Sequence, residues 1–289
     1  MVVRPQIVLL GDSITEQSFR AGGWGAALAD SYSRKADIVV RGYGGYNTRW
    51  ALLLLHHLFP LYSCLPPPLA VTIFFGANDA ALFGRQSQKQ HVPLPEYKDN
   101  LRKIISHFKQ ISPTMLVVLI APPPVDEDAR EQYAMFVFFS LSFTLIPFSS
   151  LQYAKPSFNN RSLYGDKARK LPERTNEVTG TYATQCVDLA QEMHVPCIDL
   201  WTLMQQTQGW QKLFLRDGLH LTEEGNGLVH SEVLRALNAA GLAAEEMQLD
   251  FPHHSAIDGA HPEMAFQSQG CSSSGNVDAF CPEIASNHI

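Results

Sequence analysis

Ile7-Val8-Leu9-Leu10-Gly11-Asp12-Ser13-Ile14-Thr15-Glu16 is the stretch from which the rest of the chain is read. Four branched aliphatic residues stopped by a turn signal predict a buried strand, and Gly11-Asp12 lets the backbone bend before it presents the Ser13 hydroxyl. A serine after a strand is ordinarily a turn or helix cap, and one short motif does not establish chemistry. Apolar strands of the same kind recur at Ile38 to Val40, Ala70 to Phe75, Met115 to Ile120 and Val195 to Leu200. Between and after them lie stretches with helical spacing: Trp24 to Ser33, Thr48 to Leu58, Glu96 to Ile111, Asn176 to His194, Trp201 to Gln206 and a last helix from Thr222. In Thr48 to Leu58 the spacing puts Trp50, Leu53, Leu54, His57 and Leu58 on one face, with Thr48 as the cap. This alternation predicts an α/β domain, helices on both faces of a parallel sheet with right-handed crossovers.

Two glycine-rich loops follow predicted strands. Arg41-Gly42-Tyr43-Gly44-Gly45-Tyr46-Asn47-Thr48 comes after the second, and Gly76-Ala77-Asn78-Asp79 after the third. Both leave the carboxyl ends of strands, where open α/β sheets bind ligands. Glycine lets a backbone N–H approach a reacting oxyanion, and an asparagine amide supplies another donor. Far along the chain, Arg216-Asp217-Gly218-Leu219-His220-Leu221 offers what a serine hydroxyl lacks at neutral pH: an imidazole to take its proton, and a carboxylate three residues away to hold that imidazole.

Taken together, Gly11-Asp12-Ser13-Ile14, Gly45, Gly76-x-Asn78-Asp79 and Asp217-x-x-His220 resemble, in order, the four blocks of the GDSL/SGNH hydrolases. The match through Gly-Asp-Ser-Ile-Thr-Glu, Gly-Trp-Gly and Gly-Tyr-Asn-Thr-Arg-Trp is closer to the isoamyl-acetate-hydrolysing esterase branch and its plant GDSL esterase/lipase members, and covers residues 3 to 245 less one internal segment. The resemblance implies a three-layer, flavodoxin-like fold with a five-stranded parallel sheet. It makes Ser13 the nucleophile, His220 the base, Asp217 its partner, and the Ser13 and Gly45 N–H groups with the Asn78 amide the oxyanion hole. Ile14 stands where that family has leucine. The implied activity is two-step hydrolysis of short-chain or acetate-like carboxylic esters, without metal or organic cofactor. Lipase, lysophospholipase, thioesterase or carbohydrate O-acetylesterase activity on the same machinery, and a catalytically silent binding variant, are the alternatives.

Composition sets the bounds. A chain of 289 residues that is 45% hydrophobic can bury one sizeable core, and a formal charge of −6 offers no basic face to nucleic acid. Five cysteines, an odd number without a Cys-x-x-Cys pair, fit a reducing compartment, and the short apolar run before Gly11 is the first core strand rather than a signal sequence; the expected location is the cytosol. The adjacent His56 and His57 point about 100° apart on a helix and form no metal-ligand pattern.

The catalytic domain is expected over residues 1–249, with a structureless tail over 250–289, most clearly from Ser268 to His288. Ala81 to Pro95 is expected as an irregular loop over the cleft, where Phe83 and His91 are candidate pocket residues. Residues 135–160 read, relative to the resembled family, as an insertion, and their apolar core from Met135 to Leu151, broken by serines and Pro147, is shorter than a bilayer span. The insertion's bias toward Phe, Leu, Ser and Ile suggests a translated intron, and its deletion is expected to raise soluble yield. No stable membrane span is expected, and the Asn160-Arg161-Ser162 sequon is expected to be unused.

Overall fold

A computed structural model of the protein describes residues 4–132 and 171–267. Five strands, β1 (Gln6–Gly11), β2 (Asp37–Gly42), β3 (Ala70–Phe74), β4 (Leu116–Ile120) and β5 (Cys197–Ile198), form one parallel sheet in the order β2-β1-β3-β4-β5. β1 is an interior strand, paired with β2 and β3, and its side chains alternate between two cores as a strand's period of two requires. Ile7 and Leu9 enter one core with Trp24, Leu28, Val229, Val233 and Leu237. Val8 and Leu10 enter the other with Ala51, Leu55, Leu101, Ile104, Phe108, Tyr182 and Leu189.

The helices divide accordingly. α2 (Trp24–Ser31) covers the first face, and α3 (Thr48–Leu58), α4 (Leu94–Ile111) and α5 (Asn176–Glu192) the second. After β5 come α6 (Leu200–Gln205), α7 (Trp210–Phe214) and α8 (Glu223–Ala239), and α8 returns to the first face beside α2. The Trp24 N–H donates to Asn226 Oδ1 (3.1 Å), and Ser31 Oγ lies 3.1 Å from His230 Nε2. The chain runs from β1 to β2 on one side and then to β3 on the other, so the loops after β1 and β3 part at the crevice where such sheets place their ligands.

Three local expectations change. The cap of α3 is Asn47, whose side chain accepts from Trp50 N, which leaves the Thr48 hydroxyl to bond Asp79. The buried face of α3 is Thr48, Ala51 and Leu55, and Leu53 is exposed: the helix presents its smaller residues to the crowded sheet and leaves larger ones outside. β5 spans two residues instead of six, because Pro196 has no N–H for the ladder and Asp199 caps α6 by accepting from Thr202 N. The Pro196 and Ile198 carbonyls still accept from Leu119 and Ala121.

The chain divides into two compact units, to Met247 and from Gln248. In the second, the stretch up to residue 267 was expected to lack structure, but it forms a 3-10 turn (His254–Ala256) started by the His253 side chain and a short helix (Met264–Gln267), with the Phe251 and Phe266 rings 6.2 Å apart. The apolar segment at 135–160, the sequon and Ser268 to His288 lie outside the described residues. Among the described residues no helix is long and apolar enough to cross a membrane.

Candidate active site

Ser13 opens α1 (Ser13–Glu16), the single helical turn that follows β1. Asp12 holds that turn: its side chain accepts from the Ile14 N–H at 2.9 Å. The Ser13 N–H, at a helix start, has no intrahelical acceptor, and among the described residues it has no other.

The imidazole of His220 comes from a loop 207 residues later. Leu215 and Leu221 pair as an antiparallel bridge and Arg216 N donates to His220 O at 2.9 Å, so the loop is pinched at its neck. Asp217 Oδ1 accepts from the backbone N–H groups of Leu219 (3.0 Å) and His220 (2.7 Å), leaving Oδ2 to face the imidazole. Gly218 turns the chain in the left-handed region (φ 80°) and its carbonyl accepts from Asp126 N at 3.0 Å. The outcome is a relay: Asp217 Oδ2 lies 2.7 Å from His220 Nδ1, and His220 Nε2 lies 3.0 Å from Ser13 Oγ. A carboxylate only accepts, so Nδ1 carries the ring proton and Nε2 is free to accept from the serine hydroxyl. Burial alone would raise the Asp217 carboxyl, but the hydrogen bond and charge of His220 outweigh it and hold Asp217 below the usual carboxylate range.

The donors lie on the neighbouring loops. Gly45 adopts φ 79°, a left-handed conformation that a side chain would strain, and its N–H meets no acceptor among the described residues. Asn78 is almost fully buried; its Nδ2 donates to Tyr46 O at 2.8 Å and stands 3.5 Å from Asp12 Oδ2. Asn78 thus sits between the residue before Ser13 and the residue after Gly45. A cavity of about 280 Å³ opens beside His220, lined among others by Ile14, Gln17, Arg20, Arg216 and Glu223.

The structure therefore brings together all five residues singled out from the sequence: Ser13, Gly45, Asn78, Asp217 and His220. It also shows partners that sequence reasoning missed. Asp12 and Asp79 are fully buried carboxyls, and burial pushes each up to about 7. Glu16 accepts from the Gly44 N–H and so pins the Gly45 loop to α1. Arg130, Glu173 and Arg174 form a buried run of charge behind the site. Nothing in the sequence around Glu173-Arg174 signals burial, since adjacent opposite charges ordinarily lie on a surface. Phe83 is largely exposed and meets His91 edge-on, with ring centroids 4.6 Å apart. Among the described residues no three His, Cys, Asp or Glu side chains converge as a metal-ligand set.

A doubly wound sheet with Ser, His and Asp side chains in hydrogen-bonding reach at its switch point is the arrangement of an α/β hydrolase. Residues 7–233 match the family model described as GDSL-like Lipase/Acylhydrolase, and the chain belongs to that family; it is a carboxylic ester hydrolase. It is 60% identical over 265 residues to a GDSL esterase/lipase of Arabidopsis thaliana, covering 92% of this chain and 98% of that one. It is 37% identical to a human isoamyl acetate-hydrolyzing esterase 1 homolog, covering 92% and 93%. Among solved structures, a lipase/acylhydrolase from Enterococcus faecalis shares the fold with a TM-score of 0.56 at 21% identity, over 81% of this chain and 96% of that one. A variant of an acetyl-xylooligosaccharide esterase from Geobacillus does so with a TM-score of 0.54 at 17% identity, over 82% and 96%.

Proposed function

We propose that the protein hydrolyses short-chain, acetate-like esters by two-step acyl transfer, with Ser13 as nucleophile, His220 as general base and acid, and Asp217 as the group that orients the imidazole. The observation that carries this reading is the unbroken relay from Asp217 Oδ2 through His220 to Ser13 Oγ, at 2.7 and 3.0 Å. As Ser13 Oγ attacks the ester carbonyl, His220 Nε2 takes its proton, and Asp217 stabilises the imidazolium that forms. Negative charge gathers on the former carbonyl oxygen, where the Ser13 and Gly45 N–H groups and the Asn78 amide receive it. Loss of one such donor typically costs about 10²–10³ in rate. His220 then returns its proton to the departing alcohol, and a water activated the same way releases the acid.

The name of the human relative, an isoamyl acetate-hydrolyzing esterase 1 homolog, supports a small, acetate-like ester. The test is hydrolysis of p-nitrophenyl esters from two to twelve acyl carbons by the purified protein and by Ser13→Ala, with a fluorophosphonate used to label the nucleophile. The reading expects the highest kcat/KM at two to four carbons, covalent label on Ser13, and neither activity nor label in Ser13→Ala. Label on another residue, or undiminished hydrolysis by Ser13→Ala, overturns it.

A further inference from the structure

Behind the oxyanion donors lies a buried guanidinium. Arg174 is 3% exposed, and each of its nitrogens is committed. Nε donates to Ala77 O, one terminal nitrogen donates to Glu173 Oε1 at 2.8 Å, and the other donates to both Asn78 Oδ1 (2.9 Å) and Gln90 Oε1 (2.7 Å). Gln90 in turn donates from Nε2 to Gly45 O at 3.0 Å, and its own carbonyl accepts from Asn47 Nδ2 at 2.8 Å. We infer that Arg174 is the positioning residue of the oxyanion hole: it orients the Asn78 amide directly and fixes the Gly45 loop through Gln90.

The geometry of an amide makes such a partner decisive. An asparagine side chain can present its oxygen or its nitrogen to a given direction, and its partners decide which. With a cation against Oδ1, the Asn78 NH2 must face the opposite way, toward Tyr46 O and Asp12. One of its two N–H groups is spent on Tyr46 O at 2.8 Å; the other has only the 3.5 Å contact to Asp12 Oδ2 and is the one left for an oxyanion. A flipped amide would set its NH2 against the guanidinium and aim a carbonyl oxygen at developing negative charge. The cation also polarises the amide it touches, which strengthens the remaining donor.

A neutral side chain would fill the same space without the cost of burying charge, so the charge needs its own support. Glu173 supplies it. Burial would raise its carboxyl, but the Arg174 and Arg130 guanidinium groups hold it, on balance, below the usual range. Arg130, on a helical turn at 127–132, pairs with the same Glu173 oxygen and donates to Asp217 O at 3.2 Å. The run Asn78–Arg174–Glu173–Arg130–Asp217 thus ties the donors to the residue that orients the base.

This inference rests on the proposed serine mechanism, and one set of variants separates the two. Arg174→Met, Arg174→Lys, Gln90→Met, Asn78→Ala and the double variant Arg174→Met/Asn78→Ala are compared with wild type. The readouts are p-nitrophenyl acetate kinetics, the second-order rate of Ser13 labelling by a fluorophosphonate, and thermal melts. Arg174→Met is expected to lower kcat and labelling about 10²-fold with KM within threefold, and Arg174→Lys to recover part of the loss. Combining Arg174→Met with Asn78→Ala is expected to fall within tenfold of Asn78→Ala alone, because one residue acts through the other. Gln90→Met leaves the buried ion pair intact and is expected to lose about tenfold in kcat, which keeps the test decisive should Arg174→Met not fold. Losses that multiply in the double variant, or a folded Arg174→Met with wild-type kcat, overturn the role of Arg174. If Ser13→Ala remains active, the serine mechanism itself fails.

Discussion

Replacing Asp217 by asparagine exchanges one oxygen for an NH2 group, and the loop dictates where that group goes. Oδ1 is held by two backbone donors, Leu219 N at 3.0 Å and His220 N at 2.7 Å, so the variant's oxygen must stay there and its nitrogen must face His220 Nδ1. An NH2 at 2.7 Å from Nδ1 forces the ring proton onto Nε2, which then donates to Ser13 Oγ instead of accepting from it. Arg130, 3.7 Å from Oδ2, adds repulsion against the new NH2. A wrong tautomer in a Ser-His-Asp site costs about 10⁴ in kcat, or about 5.5 kcal/mol of barrier at about 1.36 kcal/mol per decade. Steady-state hydrolysis of p-nitrophenyl acetate measures the loss. Stability supplies a second reading. The native Asp217 carboxyl titrates below its ordinary value of 3.8, so its contribution is present above that pH and is lost as pH falls through the native value. Asp217→Asn should therefore be less stable than wild type at pH 7, with the gap narrowing in acid. A variant within tenfold of wild-type kcat would refute the tautomer argument.

Other perturbations probe the supports of the site. Gly218→Ala puts a Cβ 2.5 Å from Asp126 O at φ 80°, so the base loop must shift; stability should fall by about 1–3 kcal/mol, read by urea titration, together with activity. Asp12, raised by burial from 3.8 to about 7, binds its proton more tightly folded than unfolded. Its contribution is full below about pH 4 and is lost as pH rises through about 7, so Asp12→Asn should flatten the decline of the urea midpoint across that window. Leu237→Ala, at a fully buried position of α8, should cost about 2–5 kcal/mol by calorimetry or urea titration.

The strands β1 to β4 and the long helices were legible because apolar runs and helical spacing are local properties. The grouping of Ser13, Gly45 and Asn78 was legible because their blocks lie where strands end and glycines cluster, and that of Asp217 with His220 because three residues separate them on one loop. What escaped was set by contacts between distant segments. The buried face of α3 depends on how closely the sheet approaches, which the even distribution of leucines around that helix does not reveal. Glu173 and Arg174 look like surface charges until Arg130, Asn78 and Gln90 are placed around them. The shortness of β5 could have been anticipated, since Pro196 and Asp199 are visible in the sequence and each removes a residue from the ladder.

The serine and its imidazole belong to segments 207 residues apart, brought together by the seating of α8 against α2 through the Trp24–Asn226 and Ser31–His230 contacts. Closing so long a loop comes late in assembly, after the contacts that are nearer in sequence. Turnover is therefore a reporter of the final docking event: in a refolding experiment it should lag behind the circular dichroism of the sheet and helices, and in dilute denaturant it should vanish before they do.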